Sequence, residues 1–334
     1  MKIHAPEVGR QWFNSLPLTI AGLRGSVVLV DFWDYTCVNC LRTIPYLIEW
    51  DRRYRGNGLV VIGVHAPEFQ FARSAPNVAR AVQDLGIKYP VVLDNEYQIW
   101  SAYSNRCWPA KYLIDGSGYV RYYHYGEGGY HESEEAIQKL LLEIAPGVSL
   151  PRPMAPLRGT DDPGARCAPV TPELYLGFKR GRLGNESGYA ANEVRDYSVP
   201  RGDLAPDIAW LDGPWFASEE SVEACPLDGR PARLMLKFRG AELNLVMSPP
   251  DGGHAAASVL LNGKPLSGSD AGEDVVRRSG RDSVVEVSDP RMYRLVKGST
   301  ADARLIEVST HSPGLGLYAF TFVSCVEGAV TPVE

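Results

Sequence analysis

The run Val27–Trp33, VVLVDFW, constrains this chain more than any other segment. It is apolar at both alternating positions and broken only by Asp31, so it suits a strand covered on both faces of a sheet. Three residues later comes Cys37-Val38-Asn39-Cys40. The stretch TCVNCLRTIPYLIEWDRRYR then sets Leu41, Ile44, Leu47, Ile48 and Tyr54 along one side of a helix, with Pro45 expected to kink it. A buried strand that delivers two cysteines to the start of a helix is a specific local arrangement.

The same alternation continues downstream. LVVIGV, YPVVLD, PAKYLID and YVRYYHYG read as strands; SAPNVARAVQDLG, a short piece around Tyr97–Tyr103, and HESEEAIQKLLLEI read as helices. The last of these places Glu132, Glu134 and Glu135 near its positive end. Strands interleaved with helices predict a three-layer α/β unit over residues 1–145. Residues 146–172 are rich in proline, contain the DDPG turn and lack a periodic apolar pattern, so they read as a linker. From 173 to 334 short alternating runs such as ARLMLKF, SVVEVS and LYAFTFVSC, separated by Gly, Pro, Asp and Ser, predict an antiparallel β-sandwich or jelly roll.

A length of 334 residues fits about two domains. The net charge of −6 comes without a basic stripe, which argues against nucleic acid or an anionic bilayer as partner. The N-terminus, MKIHAPEVGRQWFNSLPL, has no apolar signal-like core. A soluble chain is expected, cytoplasmic if Met1 is the native start, extracytoplasmic or periplasmic if a signal or anchor once preceded it.

Six cysteines are too few for a disulfide scaffold at this length. The two-residue spacing of Cys37 and Cys40 lets both sulfurs approach disulfide distance on the first helical turn. There the unpaired amides and the helix dipole stabilise a Cys37 thiolate, while Cys40, one turn in, is placed to resolve a mixed disulfide. The same spacing occurs in zinc sites, but no second CxxC exists, and His65, His124 and His131 lack ligand spacing. Redox chemistry is the stronger reading, and it needs neither a metal nor an organic cofactor.

DFWDYTCVNCLRTIP resembles the active-site segment of the thioredoxin superfamily, in its TlpA-like/DipZ-like branch of thiol–disulfide oxidoreductases related to cytochrome c maturation. The resemblance runs through residues 6–145, including WFNS, VIGVHAPEF, YPVVLDNEYQIW, WPAKYLID and YGEGGY. The segment from TPELYLG to LYAFTF resembles the carbohydrate-binding-module-like, galactose-binding-like jelly roll of DipZ-type proteins. The resemblance implies a thioredoxin-like fold with a mixed central sheet, Cys37 as nucleophile and Cys40 as resolving thiol. It also implies Pro109 as the cis-proline facing the dithiol, and Asp31 as a buried acid whose raised pKa lets it take the Cys40 proton. Thr36 stands where thioredoxin has Trp, so Trp33 and Trp108 are expected to cover that face. Val38-Asn39 supplies no strong thiolate-stabilising group, which favours a reductant over a strong oxidant.

Glu68, Glu127 and Cys107 are further candidates for lining the site. Cys167, Cys225 and Cys325 leave two readings open, free buried thiols or one disulfide that ties the linker or Cys225 to the last strand, and the sequence gives no connectivity. Trp210, Trp215, Tyr293 and Tyr318 are weighed as a sugar-stacking platform, a protein-docking face or plain core. The function expected is exchange with disulfide-containing protein substrates, recharged by a thiol electron donor such as a membrane thiol transporter. Two alternatives compete. A thiol peroxidase would need a Thr or Ser three residues before the nucleophile, where Asp34 stands. A noncatalytic glycan- or protein-binding protein would use the dithiol only to sense redox state.

Overall fold

The apolar run at 27–33 forms a strand flanked on both sides. The computed structural model describes residues 11–162, 165, 167–278, 282–298 and 302–325. The chain divides into two compact units, one ending at Asp161 and the other beginning at Asp162.

In the first unit six strands form one mixed sheet: β1 (Trp12–Phe13), β2 (Val27–Trp33), β3 (Leu59–His65), β4 (Val91–Leu93), β5 (Ala110–Ile114) and β6 (Val120–Tyr125). Their spatial order is β1-β4-β3-β2-β5-β6. β2 pairs in parallel with β3 and antiparallel with β5, so its ladder is filled on both edges. Every residue of β2 is buried, because helices α1 (Val38–Tyr54), α2 (Ala75–Asp84) and α4 (Tyr130–Ile144) pack on one face, and α3 (Gln98–Ala102) with the 18–23 loop on the other. Val27, Leu29 and Trp33 point to the first face; Val28, Val30 and Phe32 point to the second. α1 runs through Pro45 and buries Leu47 and Trp50 completely, each worth about 1.5–3 kcal/mol of apolar burial. The two-residue strand β1, antiparallel to β4, carries too little pattern to be read from sequence.

Glu134, expected to act at the positive end of α4, is instead buried. It accepts from the Tyr54 hydroxyl at 2.5 Å and pairs with Arg53 at 3.1 Å. It also accepts from the Met154 amide at 2.8 Å. The chain beyond α4, read as linker, thus folds back along this unit. The Leu157 amide donates to the Tyr46 hydroxyl at 2.8 Å, and Arg158 donates to the Arg42 carbonyl at 2.8 Å.

The second unit is all antiparallel β, with a core of Leu211, Trp215, Leu234, Phe238, Leu245, Tyr293 and Phe320 among others. The strand Ala209–Ala217 belongs to two layers. Its first half pairs with Ala232–Arg239 and its second with Val222–Ala224 and Val194–Tyr197. Gly213 marks the change at φ 83°, where a Cβ would stand 2.6 Å from the Pro231 carbonyl, so only glycine fits. Of the two pairings weighed for the last strand, the structure has the one from the linker side: Cys167 is bonded to Cys325, and Cys225 is a free thiol.

Because that bridge closes a loop with a sequence separation of 158, replacing Cys167 and Cys325 by Ser is expected to destabilise the second unit by about 2–4 kcal/mol. The urea midpoint of its unfolding measures this; an unchanged midpoint would mean that the bridge adds nothing to the strand pairing around it.

Candidate active site

An α-helix leaves its first amides without partners, and at α1 one partner is a sulfur. Cys37 is the N-cap residue, and its Sγ accepts from the Cys40 amide at 3.3 Å. Cys37 is half-buried and Cys40 is buried, both as free thiols. One sulfur therefore meets the surface while the other waits beneath it. Burial and the neighbouring Cys37 raise the Cys40 pKa, with Asp31 adding to the shift and the Asp34 amide opposing it.

Asp31 lies on β2, on the buried side of the same helix. Neither of its carboxylate oxygens has a hydrogen-bond partner among the described residues. Burial pushes its pKa up to about 7, and the charge of Lys111 holds it back. Lys111 sits directly opposite Asp31 in the β2–β5 register, with no exposed surface. Its Nζ donates to the Gly126 carbonyl at 3.3 Å and lies 5.5 Å from the Tyr130 ring centre. Burial lowers the lysine pKa, and Asp31 and Cys40 oppose that. This lysine was missed by sequence reasoning; the available signal was a cation within a strand whose other residues are apolar.

Pro109 follows Trp108 through a cis peptide bond, and its carbonyl accepts from the Gly126 amide at 2.8 Å. Trp108 is half-buried, and its Nε1 donates to the Ala66 carbonyl at 3.0 Å, joining the loops after β3 and before β5. Trp33, expected to cover the exposed face with it, lies inside the core that also holds Cys40, because position 33 of β2 turns toward α1. Thr36 is buried as well, its hydroxyl donating to Asp34 at 2.8 Å.

The remaining candidates divide. Glu127 is paired with Arg42 at 2.6 Å and Arg158 at 3.3 Å. Glu68 gives its backbone N–H to Asp34 at 2.5 Å. Cys107 is half-buried, with Sγ 3.8 Å from the Pro109 carbonyl, and burial raises its pKa, with the Cys37 charge adding to the shift. Burial lowers the His65 pKa to about 3, so its ring stays neutral. His124 is spent on the Glu127 carbonyl at 3.2 Å. Among the described residues no group of three or more His, Cys, Asp or Glu side chains is arranged around a metal position.

In the second unit Trp215 and Tyr293 are fully buried and Trp210 nearly so, which removes them as a sugar platform; Tyr318 is half-buried. A groove of about 380 Å³ on that unit, bordered by Arg233, Met235, Lys237 and Leu305, has no aromatic ring in its lining. Among the described residues no helix is long and apolar enough to cross a membrane.

Residues 14–141 match the redoxin family, and residues 171–322 match a family described as thioredoxin-like C-terminal domain. The chain is 36% identical over 318 residues to protein DipZ of Mycobacterium bovis, which covers 93% of this chain and 41% of that protein. It is 27% identical over 116 residues to the thiol-disulfide oxidoreductase ResA of Bacillus subtilis, 35% of this chain and 62% of that one. It also aligns with the solution structure of a thioredoxin-like protein in the oxidized form, at 26% identity and a TM-score of 0.39, over 43% of this chain and 99% of the other. The chain thus spans about two fifths of the length of the DipZ relative.

The facing charges of Asp31 and Lys111 make a prediction. In Lys111→Met, Asp31 loses the charge that holds its pKa down, so the acid limb of Cys37–Cys40 disulfide closure should move up by about one pH unit. The pH dependence of closure, followed by quenched alkylation, reads this. An unmoved limb would show that Asp31 does not take the proton.

Proposed function

We propose that the chain, which matches a redoxin domain and a thioredoxin-like C-terminal domain, is a thiol–disulfide oxidoreductase working on protein disulfides through Cys37 and Cys40. The observation that carries this reading is the pair itself: a half-buried sulfur capped by the amide of the next cysteine, with that cysteine buried beside an acid.

The Cys37 thiolate attacks one sulfur of a substrate disulfide. The substrate bond breaks, one thiolate leaves and takes a proton, and Cys37 is joined to the other sulfur. Cys40 then gives its proton to Asp31 and attacks the Cys37 sulfur. The second substrate sulfur leaves as a thiol, and the two electrons of the dithiol have passed to the substrate. The raised pKa of Asp31 suits it to accept a proton near neutral pH and to release it later. The Pro109 loop and Trp108 form the wall against which an extended substrate would lie. A separate dithiol donor, membrane-bound in this reading, returns the enzyme to its reduced form.

The Cys167–Cys325 disulfide supports an extracytoplasmic site of action, since such bonds persist in oxidising compartments.

Insulin reduction with dithiothreitol as donor tests the reading. Cys37→Ser should lower the rate by at least roughly two orders of magnitude, because the covalent route is gone. Cys40→Ser should accumulate a mixed disulfide at Cys37, seen as a mass increase that dithiothreitol removes. Both variants turning over like the parent would overturn the reading.

A further inference from the structure

Lys111 has no exposed surface, and among the described residues its ammonium makes one hydrogen bond, to the Gly126 carbonyl at 3.3 Å. An ammonium is costly to bury, so a charge-assisted bond of this kind ties its acceptor strongly. The same nitrogen stands 5.5 Å from the centre of the Tyr130 ring, at the start of α4. Lys111 therefore touches both ends of the segment 126–130, which joins β6 to α4.

Strand register sets what this segment borders. Ala110, the first residue of β5, pairs with Phe32 on one side and Tyr125 on the other. One step further out come Pro109 and Gly126, and the Gly126 amide donates to the Pro109 carbonyl at 2.8 Å. Glu127 pairs at 2.6 Å with Arg42, which follows Cys40 closely on α1. Gly126 thus has its amide on the Pro109 loop and its carbonyl on Lys111, and it does so at φ 83°, where an L side chain is strained. Fixing the carbonyl of a residue also restrains its amide, so the lysine acts on the Pro109 loop through a single residue.

We propose that Lys111 is a positioning residue for protein substrates: by holding the Gly126 carbonyl it keeps the Gly126 amide on the Pro109 carbonyl, and so fixes the loop beside which a substrate chain lies. This rests on the dithiol reading above, and it is separate from the charge that Lys111 sets opposite Asp31. That charge acts on the dithiol whatever disulfide is attacked. The loop matters only for a disulfide carried on a polypeptide, because a small disulfide has no chain to lay against it.

Comparing a protein disulfide with a small one separates the two roles. The reduced full-length chain is mixed with excess insulin or excess 2-hydroxyethyl disulfide and quenched with acid at intervals. Alkylating the remaining thiols and weighing the chain gives a second-order rate of dithiol loss for each. In Lys111→Met the insulin rate should fall about fivefold relative to the small-disulfide rate, the weight of roughly one hydrogen bond. Gly126→Ala leaves Lys111 and Asp31 in place, and its added Cβ meets no atom within 4 Å, so it disturbs only the backbone at that residue. It should lower the same ratio by a similar factor, and it carries the test if Lys111→Met does not fold.

An unchanged ratio in Lys111→Met, with both rates altered alike, would confine the lysine to its charge and overturn the role. An unchanged ratio in folded Gly126→Ala would overturn it as well. If the parent chain closes no Cys37–Cys40 bond with either disulfide, the dithiol reading fails and this role falls with it.

Discussion

The amide of Cys40 needs a partner at the open end of α1, and the Cys37 sulfur provides it. The position of that contact is set by β2. Paired on both edges and buried on both faces, β2 can deliver the chain to only one place, the edge of the sheet above α1. The N-cap contact then leaves one sulfur at the surface and draws the other inside. In the proposed function, that difference in exposure between two identical side chains divides attack from resolution.

Beneath the helix the fold sets Asp31 and Lys111 opposite each other in the strand register, both buried, with neither Asp31 oxygen hydrogen-bonded among the described residues. Such a pair is costly to bury, and apolar residues would fill the same space more stably. In the proposed function the pair handles a proton: the Asp31 carboxyl is pushed up to about 7 by burial and restrained by the lysine, which suits it to take the Cys40 proton. The loops above the sheet are stitched to one another by Asp34 to Glu68, Trp108 to Ala66 and Gly126 to Pro109. The site is therefore held from below by strand register and from above by loop-to-loop hydrogen bonds.

Much of this was legible in the sequence. An apolar run broken only by Asp31, two cysteines at a helix start and a Trp-Pro step before a strand are local signals, and local signals survive without a structure. Lys111 was not legible, because a lysine between Ala110 and Tyr112 also suits a solvent-facing position; only the central place of β5 makes that position buried. Asp34 entered the sequence reading only as the residue three before Cys37, where a thiol peroxidase would carry Thr or Ser; its partner Glu68 lies 34 residues away. Trp33 was expected to cover the face where Thr36 replaces the Trp of thioredoxin, but strand alternation turns Trp33 into the core and Thr36 is buried on its contact with Asp34. The stretch 150–161 lacks periodicity, yet the Pro151 and Arg152 carbonyls accept from Gln138 and Arg53 and the Met154 and Leu157 amides donate to Glu134 and Tyr46, a mode that leaves no periodic pattern to read.

We propose that Cys37 and Cys40 act as one two-electron couple poised to reduce. Equilibrating the chain in defined glutathione and dithiothreitol buffers, alkylating the remaining thiols and counting them by mass measures this directly. The account predicts that both thiols disappear together, with a midpoint near or below about −220 mV. Two thiols that never pair would contradict the shared couple, and a midpoint near about −120 mV would reverse the direction of electron flow.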